Sequence, residues 1–214
     1  MLVAQEVERV AALGSLWPGF EPLTFPLAIY DGEATYLFRH PDPPEGFVAV
    51  VGAQQDTLVW EGRHPAVIAN SSAELGGTMT ATLMIDRSEV EENLSALAAI
   101  ALHETFHVFQ RAQHPGWQAN EADLFVYPID DADALASRRL ETEALRRALA
   151  ATDSIDSSCW ALRALALRSE RFAGLDAAFA AYERGTELNE GLARYVELRA
   201  KGAETVFLPP TGFE

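Results

Sequence analysis

His103 and His107 stand four positions apart in ALHETFHVFQ, residues 101–110, with Glu104 directly after the first. On an α-helix, residues i and i+4 share a face, so both imidazoles can turn a ring nitrogen toward a single ion. Glu104 then lies about 100° around the helix from His103, within reach of a water on that ion without being a ligand. Zinc held in such a clamp lowers the pKa of a water to about 7, and the neighbouring carboxylate takes its proton as it attacks a carbonyl. The chemistry this pattern can do is therefore attack of a metal-activated water on a carbonyl. The same letters also suit a polar stripe on an ordinary helix. Against that stands the company they keep: Ile100, Leu102, Phe106, Val108 and Phe109 surround them. In apolar surroundings imidazole and carboxylate groups are costly to bury unless paired or bound to metal.

Two histidines leave a catalytic zinc short of its usual three protein ligands. A third histidine in the extended pattern is missing: Gln110 and Gln113 occupy the relevant positions and His114 is one place out of register. A carboxylate from a later helix is the remaining common solution, and TELNEGLARYVELRAKG, residues 186–202, offers one. HExxH followed downstream by Asn-Glu-Gly-x-Ala-x-Tyr resembles the gluzincin class of zinc metallopeptidases, in which the glutamate before the glycine is the third ligand. The resemblance implies zinc held by His103, His107 and Glu190, a zincin-like fold, and a peptide or peptide-like amide as substrate. It also implies a tyrosine or histidine donor for the developing oxyanion, which points to Tyr195; Arg194 shares the Glu190 helix, and His114 follows the motif helix. The spacing of Leu188, Leu192 and Tyr195 equally suits core packing. Gly191, in a helical pattern where glycine costs about 1 kcal/mol against alanine, is expected with Ala193 to mark a close approach to the HExxH helix. Alternatively, Glu190, Arg194, Glu197 and Lys201 form a solvated, salt-bridged helix face. Glu141 and Glu143 are substitute ligands, though i,i+4 pairing with arginines is the more natural use of both, and Glu187 is a further ligand or a partner behind the ligands.

Several elements must position these groups. Residues 3–13 read as a helix, broken by LWPGFEPLTFP. PLAIY, Asp31-Gly32 and EATYLF read as a hairpin with a type I′ turn. FVAVV and DTLVW read as a second strand pair, and TMTATLMI, residues 78–85, as a fifth strand. Ser88 and Glu91 carry a capping-box signature for a helix running to Gln113, stopped by His114-Pro115-Gly116. Three Ala- and Leu-rich helices are expected at about 132–151, 154–172 and 175–200, before a non-helical ending, FLPPTGFE. Sheet first and helices second predicts an α+β fold: a mostly antiparallel N-terminal sheet, the HExxH-bearing helix, and a C-terminal helical bundle. The division falls at 1–120 and 121–214 within one compact unit. The strand GGTMTATLMID, just before the motif helix, is expected to offer an edge to which an extended peptide adds, or to be a plain sheet strand.

Composition narrows the partners. The 214 residues are 49% hydrophobic and 22% charged, as in an ordinary globular protein. A formal net charge of -16 disfavours nucleic acid and anionic membrane surfaces. The N-terminal stretch lacks the features of a secretory signal, and no run approaches the roughly 18 apolar residues of a membrane span. A cytoplasmic location is the expectation. Cys159 is the sole cysteine, which excludes an internal disulfide or a thiolate cluster; at helical spacing with Ile155, Leu162 and Ala166 it is expected to be packed. Trp17, Trp60, Trp117 and Trp160 read as core or rim aromatics. Two rivals to hydrolysis remain: a catalytically inactive zinc-binding protein, and a metal-free helical scaffold or oligomerisation module built on the Ala-rich C-terminal half.

Overall fold

A computed structural model of the chain describes residues 1–52 and 57–202. The FLPPTGFE ending lies outside the described residues. The fold is α+β, with a six-stranded sheet and six α-helices among the described residues. The chain forms two compact units, one built on Met1–Gln118 and the segment beginning at Leu188, the other on Ala119–Glu187. The expected division assigned everything after residue 120 to the C-terminal helices. The segment from Leu188 belongs instead with the first unit, because Ala193, Val196 and Ala200 bury in that unit's core.

In the first unit, α1 (Leu2–Ala11) turns Val3, Ala4, Val7 and Val10 inward at helical spacing. Strands β1 (Leu27–Tyr30) and β2 (Ala34–Phe38) form the expected antiparallel hairpin. Its turn differs in detail. The amide of Asp31 donates to Ala34 O, so the tip residues are Gly32 and Glu33, and only Gly32 takes a positive φ, 95°. That is the pattern of a type II′ turn rather than type I′. Asp31 serves as the corner, its Oδ1 accepting from the amides of Glu33 and Ala34.

Strands β3 (Val48–Ala49) and β4 (Leu58–Glu61) pair antiparallel, and β5 (Ser71–Leu75) pairs antiparallel with β6 (Thr78–Met84) across Gly76-Gly77. The sheet order is β3-β4-β2-β1-β6-β5. β1 and β6 run parallel, so the sheet is mixed, joined in its interior by a parallel pair that the sequence pattern does not announce. β6 is an inner strand, and the edge next to it is β5. The expectation that β6 exposes an edge is corrected on this ground: both of its sides already hold a neighbour.

The motif helix, α2 (Val90–Gln113), packs on α1 and on β6. The Ser88–Glu91 capping box does not form. Asp86 caps instead, its Oδ1 accepting from the amide and hydroxyl of Ser88 at the single 3₁₀ turn that precedes α2. The predicted stop at His114 holds. Phe106, Leu102, Ala98 and Ala101 are fully buried against Leu27, Ile29, Ala81 and Leu83 of the sheet, which fixes the rotation of α2.

The second unit carries α3 (Ala132–Ala150), α4 (Ser154–Gly174) and α5 (Ala177–Thr186). Asp131, Asp153 and Asp176 cap them, each side chain accepting from amides of the first turn. Cys159 is exposed, as are Ile155 and Leu162, which reverses the expectation of packing. Helical spacing identifies a common face but not whether that face is covered; on α4 the inward residues are Ala164 and Arg171.

The long helix expected over 175–200 is interrupted. After α5 the backbone takes a π turn at Glu187–Gly191 and resumes as α6 (Leu192–Ala200). α6 packs on α2. The close approach rests on Ala193, fully buried, and not on Gly191, where an added Cβ would meet nothing within 4 Å. With φ -63° and ψ -41°, Gly191 occupies a conformation open to any residue. Gly191→Ala should therefore stabilise the protein by about 0.4–1 kcal/mol through the unfolded chain. A chemical denaturation curve checks this; a loss of stability would show that something closes on the position.

Candidate metal centre

α2 places His103, His107 and Gln110 on one face, and the π turn carries Glu190 to them. The two Nε2 atoms lie 3.1 Å apart. Glu190 Oε2 stands 3.7 Å from His103 Nε2 and 3.6 Å from His107 Nε2. Ligands about 2.0–2.1 Å from a tetrahedral zinc stand about 3.4 Å apart, so the triangle has the right size. A point equidistant from its three corners lies about 2.0 Å from each, within the range for zinc with imidazole nitrogen and carboxylate oxygen. Among the described residues, these three form a group of side chains able to hold a metal ion.

The proton on the His107 imidazole follows from the atoms behind it. Gln110 is fully buried, and its Nε2 donates to the carbonyls of Leu188, at 2.8 Å, and Asn189, at 3.0 Å. Its Oε1 therefore faces His107 Nδ1, at 2.9 Å, and can only accept. The proton of neutral His107 sits on Nδ1, leaving a lone pair on Nε2. Behind His103, Glu197 Oε2 is 3.3 Å from Nδ1, off the line of a full hydrogen bond but its nearest charge. With His107 in that tautomer, its Nε2 and Glu190 Oε2 face each other as two acceptors, an arrangement that repels unless a proton or a cation lies between them.

The electrostatics are consistent with that need. His103 and His107 hold the Glu190 carboxyl well below the usual carboxylate range, against the opposing effect of burial. Burial disfavours charge on His107, but Glu190 and Gln110 outweigh it and raise its pKa. Glu104, only 8% exposed, is pushed up by burial, which its neighbours His103 and His107 partly offset. Burial also works against charge on Glu197, but Lys201 and Arg194 outweigh it and lower its pKa. Glu197 bonds Lys201 at 2.8 Å and pairs with Arg194. The salt-bridged face read from the sequence thus exists in part: Glu197, Arg194 and Lys201 form it, while Glu190 turns to the histidines.

Tyr195 packs edge-on against Trp17 with ring centroids 5.9 Å apart, at the border of the core. His114 stacks on Trp117 at 3.8 Å. The substitute carboxylates are engaged elsewhere. Glu143 pairs with Arg146 and Arg147 on the surface and its pKa falls to about 2, while Glu141 and Glu187 bind arginines of the second unit. Gln110 and Glu197 are the contributors that sequence reasoning missed. Gln110 falls three residues after His107, and Glu197 three after Arg194 and four before Lys201, spacings that put each beside those neighbours on its own helix. No protein-family model, curated protein or solved structure matches the chain.

Proposed function

We propose that this chain is a zinc-dependent hydrolase of gluzincin type, with a zincin-like arrangement of its site, cleaving a peptide or peptide-like amide bond. The observation that carries the reading is the convergence of His103 Nε2, His107 Nε2 and Glu190 Oε2 within 3.7 Å. Bound zinc would supply Lewis acidity and an acidified water. His103, His107 and Glu190 would hold the ion, and Glu104, next to His103 on α2, would be the carboxylate that accepts a proton. The Glu190 side chain is 56% exposed, which leaves the cluster open to solvent on the side from which a substrate carbonyl can arrive. The resemblance assigns the oxyanion donor to Tyr195, on the run that follows Glu190.

Equilibrium dialysis at neutral pH should return one zinc per chain, lost on His107→Ala. Cleavage of an unstructured protein substrate should stop with chelator and return with added zinc. A chain that retains no stoichiometric zinc would end this reading. A second reading, an association module, is favoured by the exposed Leu135, Leu140 and Leu149 of α3 and Ile155, Leu162 and Leu165 of α4. It predicts concentration-dependent association without zinc. No helix among the described residues is long and apolar enough to cross a membrane.

A further inference from the structure

We propose that Gln110 is a positioning residue that sets two of the three ligands at once, fixing the tautomer of His107 and aiming Glu190 through the backbone of the π turn. The inference rests on the metal site proposed above. Every polar atom of this fully buried amide is committed: Oε1 accepts from His107 Nδ1 at 2.9 Å, and Nε2 donates to Leu188 O at 2.8 Å and Asn189 O at 3.0 Å. Those two carbonyls immediately precede Glu190 and lie within Glu187–Gly191.

A π turn holds one more residue per turn than an α-helix, so it rotates side chains on one side of it by about 100° relative to the other. Nothing intrinsic to ELNEG dictates that extra residue, since Gly191 has ordinary helical angles and open space. The buried donors of Gln110 supply a reason. They hold two successive carbonyls of the turn against α2, beside the imidazole that the same amide orients. His107 and Glu190 are thereby registered to each other through one side chain, whose own bond to Leu188 O spans 78 residues of sequence.

A double-mutant cycle on zinc affinity in the full chain tests this, using competition with a chromophoric chelator. Gln110→Met should weaken zinc about 10- to 100-fold in the wild-type background. In the Glu190→Ala background the loss should be smaller by a factor of about three or more, since only the His107 arm remains. A merely structural glutamine would lower affinity equally in both backgrounds, and that outcome, or no loss at all, would overturn the proposal. Wild-type chain that binds no zinc would instead remove the metal site, and this inference with it. If Gln110→Met shows no cooperative melt in chelator, Gln110→Glu takes its place: it keeps an acceptor for His107 and turns an oxygen onto the two carbonyls. It should weaken zinc in the wild-type background and much less beside Glu190→Ala; unchanged affinity counts against the proposal.

Discussion

Glu104→Gln should lower kcat by about 10²- to 10⁴-fold, the range lost with a general base, while the chain still binds one zinc with unchanged affinity. Gln has nearly the shape of Glu and can occupy the same buried place, so packing around α2 is preserved. What it removes is the acceptor for a proton. Because burial penalises the Glu104 carboxylate, stability in the absence of metal should not fall either. The outcome separates three roles. Turnover within tenfold of wild type would mean that another group takes the proton. Loss of zinc together with turnover would make Glu104 a ligand. Loss of turnover alone, on zinc-loaded protein with an unchanged melting curve, is the expected result.

The paired histidines were legible because helical periodicity is a local property: four residues of spacing decide that His103 and His107 share a face. Strands β1, β2, β4 and β6 were legible for the same reason, their β-branched and apolar runs being bounded by turn residues. β5 was not, because Ser71-Ser72-Ala73-Glu74 has little strand character and is recruited by pairing with β6 across two glycines. The approach of Glu190 to the histidines was suggested by resemblance and not by spacing, since nothing local connects residue 190 to residue 107.

Burial proved the least legible property. Cys159, Ile155 and Leu162 share a face that sequence pattern alone would turn inward, yet the inward face of α4 carries Ala164 and an arginine. Gln110 shows the converse. Considered only as a ligand it fails, and its carbonyl partners lie on a turn that no pattern predicts. Polar residues at the spacing of a metal motif merit consideration as supports for the ligands as well as ligands themselves.

The second unit offers a test independent of metal, and its largest expected effect lies at Arg171. Its guanidinium is almost fully buried, bonding Glu141 Oε2 at 2.8 and 3.1 Å and Glu183 Oε1 at 2.5 Å. Arg168 joins the other oxygen of Glu141 to Glu187, and Arg138 and the Tyr127 hydroxyl complete Glu183. Burial and Glu183 together push the Tyr127 phenol up to about 12. Few large apolar side chains are buried in this unit, whose inward positions on α3, α4 and α5 are alanines, one glycine and charged residues. Arg171→Met removes the cation that bonds both buried carboxylates, leaving each with fewer partners, and should cost about 3–5 kcal/mol, read as faster hydrogen exchange of α3 and α4 amides in the full chain. Burial raises the Glu183 pKa, but Arg171, Tyr127 and Arg138 outweigh it, so its folded value lies below its unfolded one. Its stabilising contribution is therefore complete above the unfolded carboxyl pKa, about 4.3, and disappears as pH falls through the folded value. The gap between wild type and Arg171→Met should narrow in the same acid range. A gap that persisted unchanged to pH 3, or exchange rates equal at pH 7, would show that the ion cluster is not what holds these helices together.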